Sequence, residues 1–157
     1  MQSLMNNPSF WSALLAWLAA QIVKMTTHYF QTHKIDFGYL VSTGGMPSAH
    51  SAMVGGLTTS IGIRSGMDSA VFAVTLAFAL VVMFDAQSVR RAAGQQARVL
   101  NQMLEQFFKE HQFSRQKLGE FLGHTRTEVF VGVLLGIIVA LLVHAYCNVL
   151  TFADRPI

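Results

Sequence analysis

Three short strings in this chain gather residue types capable of phosphate chemistry, and each stands at the end of an apolar run. The first is Ser42-Thr43-Gly44-Gly45-Met46-Pro47-Ser48-Ala49-His50. Gly44 and Gly45 permit backbone conformations closed to other residues, and Pro47 suits a first helical turn. A helix is therefore expected to begin near Met46. Its unpaired amide N–H groups, with the Ser48 and Ser51 hydroxyls beside them, favour an anion. Taken alone, the string also reads as an ordinary Gly-Pro turn in which His50 is a satisfied polar residue. The second string, Asp85-Ala86-Gln87-Ser88-Val89-Arg90-Arg91, sets one carboxylate beside two guanidiniums. Arginine suits bidentate contacts to phosphate, and it equally suits a basic anchor ending a membrane helix. Asp85 either supports one arginine or finishes the helix.

The third string is Leu122-Gly123-His124-Thr125-Arg126-Thr127-Glu128. His124 and Glu128 are four apart, so in a helix they share a face and can hydrogen-bond. A carboxylate on one imidazole nitrogen fixes the tautomer and makes the other nitrogen a better nucleophile or base. Continuing by fours reaches Gly132 and Gly136, a strip where another helix can approach closely. Ser51, Gly55, Thr59 and Gly62 form a comparable strip on the second apolar stretch. A His/Glu pair at this spacing could also bind a metal, but with no cysteine ligand and no HExxH the expectation is no catalytic metal and no cofactor.

The elements that must position these groups are membrane helices. Of 157 residues, 52% are hydrophobic and 12% charged, about half the charge of a soluble domain. The length allows a single domain over 1–157, and one cysteine, Cys147, excludes an intramolecular disulfide framework. The net charge of +3 does not argue for nucleic acid, because no polar soluble surface accompanies it. Apolar stretches run over 10–23, closed by Lys24 near the water boundary, and over 51–63, 70–84 and 129–149. The expected fold is all-α: a polytopic membrane bundle of about four transmembrane helices plus an amphipathic helix on the cytoplasmic side. Residues 1–10 carry no charge, unlike the start of a signal peptide, so the first helix is expected to be retained.

The amphipathic helix follows Gln87. Val89, Ala93, Leu100, Met103, Leu104 and Phe107 recur at helical spacing, with Arg90, Arg91, Arg98, Glu105 and Lys109 elsewhere around it. It suits either a solvated cap or the membrane interface. A short helix is expected from Ser114 to Gly123. Four spans put nine of the eleven Lys and Arg on one side, with Arg64 and Arg155 opposite. By the positive-inside rule the nine-charge side, which also holds the three strings, is cytoplasmic.

The strings GGMPSAH, VMFDAQSVRRAAGQQARVLN and LGHTRTEVFVG resemble the divergent branch of the type 2 phosphatidic acid phosphatase superfamily, over roughly residues 21–136. The resemblance implies an all-helical membrane bundle and metal-independent hydrolysis of a phosphomonoester or pyrophosphate. Pro47-Ser48-Ala49-His50 matches the superfamily's Pro-Ser-Gly-His, whose histidine protonates the leaving group. His124 and Glu128 match its His-x-x-x-Asp, whose histidine is the nucleophile, and the associated arginine is Arg91 or Arg90. Two features depart from the wider pattern. Gln31 and Thr32 stand where an Arg-Pro pair follows the lysine matched by Lys24, and Arg91 lies 33 residues before His124.

The expected activity is that of a cytoplasm-facing lipid phosphate phosphatase working through a phosphohistidine. His124, His50 and Glu128 are its catalytic group. Arg91, Arg90, Ser48, Lys24, Gly44 and Gly45 bind phosphate, and Asp85 supports them. The partners are a lipid phosphate and the membrane, and a bundle with so few inward faces leaves a homodimer open. A lipid-phosphate binding or translocating protein without turnover is the alternative, and a small helical assembly subunit a third reading.

Overall fold

The computed structural model describes residues 4–33, 45–107 and 124–153. A 3-10 turn, Leu4–Asn6, leads into α1 (Pro8–Thr32), α2 (Ala49–Ser65) and α3 (Ala70–Phe84). A π-helical turn, Asp85–Val89, then joins α3 to α4 (Arg90–Phe107), and α5 covers Arg126–Ala153. The described residues are all-helical, with no strand among them. Short polar side chains define the helix starts. Asn7 accepts from Ser9 N, Ser48 from Ser51 N and Ser69 from Phe72 N, each satisfying an amide that has no partner in the first turn.

Two expectations about boundaries need correction. α2 starts at Ala49 and not near Met46, because Ser48 takes the N-cap with extended φ,ψ of −68° and 114° and Pro47 stands ahead of it. α1 does not stop at Lys24 but continues to Thr32, and Lys24 is buried, with 3% of its surface exposed. The limits of α3 coincide with the apolar run 70–84. The expected helix from Ser114 lies outside the described residues.

α2 is the central element and packs against α5, α1 and α3. It runs parallel to α5: Ser48 meets Gly132, Ala52 meets Gly136, and Ser60 meets His144. It runs antiparallel to α1, with Ser12 against Gly56 and Ser9 against Ser60. The interior is small and polar. Ala16, Ala20, Ala49 and Ala52 form its apolar centre, and Ser12, Ser48, Ser51 and Ser60 are fully buried around them. Large side chains face outward, among them Val74, Phe78 and Val81 of α3 and Phe130, Ile138 and Leu142 of α5. Such an arrangement suits lipid, where close packing of small residues drives helix association and apolar exposure carries no cost.

Among the described residues, two helical runs are long and apolar enough to cross a membrane: the continuous stretch Ala70–Leu104 and Arg126–Val149. Of the other two expected spans, α2 has 17 residues and is rich in Gly, Ser and Thr, and α1 carries Gln21 and Lys24.

The glycine strip of α5 lies on α2 as expected. A Cβ at Gly132 would sit 2.5 Å from the Ser48 carbonyl oxygen, and one at Gly136 would collide with the Ala52 carbonyl and the Gly56 nitrogen. On α2 the residues meeting these glycines are Ser48, Ser51, Ala52 and Gly56, whereas Gly62 faces Phe72 of α3. At the end remote from the three strings, Ser60 donates to Ser9 Oγ at 2.9 Å and meets His144 Nε2 at 2.7 Å. With the Ser60 hydrogen already committed, His144 supplies the second one. Arg64 Nη1 donates to Asn7 Oδ1 at 2.8 Å. This clamp of α1, α2 and α5 explains the polar interruption of the last apolar run.

Because the Gly136 contact is backbone against backbone, Gly136→Ala is expected to force α2 and α5 apart. The expected loss is about 1–3 kcal/mol, the usual cost of overpacking. Ile138→Ala, on the lipid-facing side of the same helix, is expected to stay within about 0.5 kcal/mol. Thermal unfolding of the two variants in one detergent measures the difference, and equal midpoints would contradict the packing described.

Candidate active site

His124 precedes α5 and is not part of it. Its backbone N–H donates to the carbonyl of Ala86, in the π turn, at 3.0 Å. Thr125 then caps the helix. Thr125 Oγ1 accepts from Glu128 N, and Glu128 Oε2 accepts from Thr125 N, both at 3.3 Å. This reciprocal pair is a capping box. It corrects the expected geometry, since His124 and Glu128 meet across a helix start and not along one helical face. Their contact is short, with His124 Nδ1 2.7 Å from Glu128 Oε2. A carboxylate oxygen only accepts, so it holds the imidazole proton on Nδ1. Nε2 is then an unprotonated lone pair in the neutral ring, buried and without a hydrogen-bond partner among the described residues.

Other predicted residues assemble around this pair. Ser48 N–H donates to the Glu128 carbonyl at 3.0 Å, tying the start of α2 to the first turn of α5. That amide is thus engaged, which subtracts one donor from the anion site expected at the α2 start. The Ser48 hydroxyl accepts from Ser51 Oγ at 3.0 Å and Ser51 N at 3.4 Å and keeps its own hydrogen to donate. Lys24, buried on α1, lies close enough for the Glu128 charge to act on it. The adjoining starts of α2 and α5 each carry roughly half a positive charge, so their shared end favours an anion.

His50 is half-buried in the first turn of α2, and Asp85 is half-buried at the opening of the π turn. Arg90 and Arg91 open α4 directly after that turn, with side chains outside the described part of the structure. Gly44 also lies outside it. Gly45 is exposed with φ +87° and open space where a Cβ would stand, so its requirement for glycine is conformational.

Three contributors escaped the reading of the sequence. The Ala86 carbonyl is a backbone group with no signature of its own. The capping box was legible as Thr-x-x-Glu over 125–128. Gln21, one helical turn before Lys24, buries an Oε1 with no partner among the described residues; its only signal was a polar residue in an apolar run.

Comparison with known proteins gives the family of the chain. An uncharacterized membrane protein of Bacillus subtilis (strain 168), YuiD, is 40% identical over 149 residues, which span 88% of this chain and 94% of the relative. No solved structure matches the chain. The sequence profile described as the Divergent PAP2 family matches residues 5–139, a span that takes in the capping box, the π turn and the α2 start, and the chain belongs to that family.

Proposed function

We propose that this protein is a lipid phosphate phosphatase. The observation that carries the reading is His124, with Nδ1 held by Glu128 and Nε2 buried and without a partner among the described residues, at the joint start of two helices. In the proposed reaction the Nε2 lone pair forms a bond to phosphorus as the bond from phosphorus to the ester oxygen breaks. His50 gives its proton to the departing alcohol oxygen. Water then attacks phosphorus, losing a proton to His50, and the P–N bond breaks to restore His124. Glu128 stabilises the imidazolium in the first step. Lys24, Arg90, Arg91 and the Ser48 hydroxyl, with the Gly44–Gly45 stretch, are assigned to the non-bridging oxygens. Fixed donors of this kind supply most of the stabilisation in phosphoryl transfer.

The topology that goes with this reading has four spans, with α1 and α2 crossing beside the two more apolar helices. Both chain ends are extracytoplasmic and the site faces the cytoplasm, a placement that the nine-to-two division of Lys and Arg supports. A site there favours a phosphomonoester lipid of the inner leaflet. Gln31 and Thr32, in place of an Arg-Pro pair, favour a second reading in which the phosphate is bound or carried without turnover.

His124→Ala is expected to abolish both turnover and covalent labelling. His50→Ala is expected to be nearly inactive on a lipid alcohol ester yet to recover on an activated aryl phosphate, whose leaving group needs little protonation. The recovery is expected within the 10²–10⁴-fold range of general acid catalysis. Glu128→Gln preserves the capping box and removes the charge, so it falls between the two. The measurements are kcat/KM on both substrates in EDTA and acid-labile phosphate on the protein. Phosphate trapped on His124→Ala protein, or equal losses on both substrates for His50→Ala, would contradict the assigned roles. Tight phosphate binding without release in the unaltered protein selects the second reading.

For orientation, a cysteine placed at Ser114 in a Cys147→Ala background is expected to resist a membrane-impermeant thiol reagent in intact cells and to react after lysis. Reaction in intact cells reverses the topology.

A further inference from the structure

Beyond Arg90 and Arg91 at its start, the amphipathic helix α4 has no part in the chemistry above, and within the described residues its close neighbour is the π turn. Val89, Val99, Leu100, Met103 and Leu104 lie on one side of the helical register and are 61, 48, 49, 54 and 41% exposed. At 100° per residue, Val99 to Leu104 spans an arc of about 140°. Arg90, Arg91 and Arg98 occupy register positions outside that arc, and the helix carries three arginines against one glutamate, Glu105. Asn101, on the flank, is buried.

The length of the helix locates this face. Ala70–Leu104 is one continuous run of 35 residues, roughly 52 Å at the α-helical rise, whereas the hydrocarbon layer is about 30 Å thick. α3 and the π turn, over 70–89, already account for about 30 Å. α4 therefore starts at the headgroups. A π turn is one of the few places where a long helix can bend sharply, and this one stands at that level. The arc is also wider than the narrow seam of a two-helix coiled coil, and the arginines beside it complement anionic headgroups.

We infer that α4 lies along the cytoplasmic leaflet with its Val99–Leu100–Met103 face among the acyl chains and Arg98 on anionic phospholipid headgroups. The cytoplasmic side follows from the topology proposed above, whereas the seating itself does not depend on catalysis. Because Ala86 of the π turn holds the His124 amide, seating α4 also anchors the turn on which the candidate nucleophile rests.

The test uses the full chain in nanodiscs of phosphatidylcholine alone or mixed with phosphatidylglycerol. An environment-sensitive fluorophore is attached to single cysteines at Leu100, Met103, Arg98 or Gln102 in a Cys147→Ala background. Nitroxide-labelled lipid is expected to quench positions 100 and 103 about threefold more than 98 and 102. The contrast is expected to grow with phosphatidylglycerol and to shrink in high salt or in an added Arg98→Gln variant labelled at Met103. Equal quenching at all four positions would overturn the proposal, as would a contrast indifferent to phosphatidylglycerol. Disulfide cross-linking between copies at Leu100 without lipid quenching assigns the face to a second copy and also overturns it. None of these readouts requires turnover, so a failed phosphatase assay leaves the result intact.

Discussion

The contact on which the rest of the structure depends is the approach of α5 to α2 with no side chain between them. At Gly132 and Gly136 the space a Cβ would fill is occupied by backbone atoms of Ser48, Ala52 and Gly56. That proximity allows Ser48 N–H to reach the Glu128 carbonyl, and this bond aligns two helix starts. A polar group left unpaired in a lipid environment costs several kcal/mol, so the alignment also satisfies groups that have no water nearby. Glu128 then serves three partners: its carbonyl holds α2, and its carboxylate closes the α5 cap and orients His124.

The distribution of residue types follows the same logic. In water a core of serine and alanine under a coat of phenylalanine, leucine and valine is inverted; beside lipid it is stable, because burial of large apolar groups gains little there. Serine hydroxyls instead bond across helices, as at Ser60–Ser9, or within a helix start, as at Ser48–Ser51. Buried Lys24 and half-buried Glu128, of opposite charge, belong to this interior. Ionisable groups at such depth are costly to retain unless they are paired or functional.

Features set by local chemistry were legible in the sequence, and features set by tertiary contact were not. The apolar run 70–84 gave the limits of α3, whose start is capped by the Ser69 just before the run and whose end is marked by Asp85. The four-residue spacing of small residues after Glu128 identified the face of α5 that meets α2. The pairing of His124 with Glu128 was also readable, although by the wrong geometry: spacing by fours suggests a helical face, and the Thr125 cap that ends the helix ahead of His124 was overlooked. Ser48 was expected as a free donor because a partner carbonyl from α5 has no trace in the local string. The pairing of Ser60 with His144, 84 residues apart, likewise needs the fold. The burial of Lys24 is a product of tertiary packing, and a basic residue after an apolar run resembles a boundary marker.

The parallel run of α2 and α5 has a consequence for how the molecule is made. Parallel neighbours cannot be joined by a tight turn, and the chain between them includes α3, the π turn and α4. During synthesis α1 and α2 emerge early and can pair as an antiparallel hairpin, whereas α5 leaves the ribosome after α3 and α4. Until it docks, the small-residue face of α2 and the Lys24 side of α1 have no protein to cover them. Contacts of such long sequence separation form late, after the loop between them has been closed. The nascent chain therefore passes through an interval in which these small and polar faces lie uncovered, and the helix starts that hold His124 and Glu128 are joined only when that interval closes.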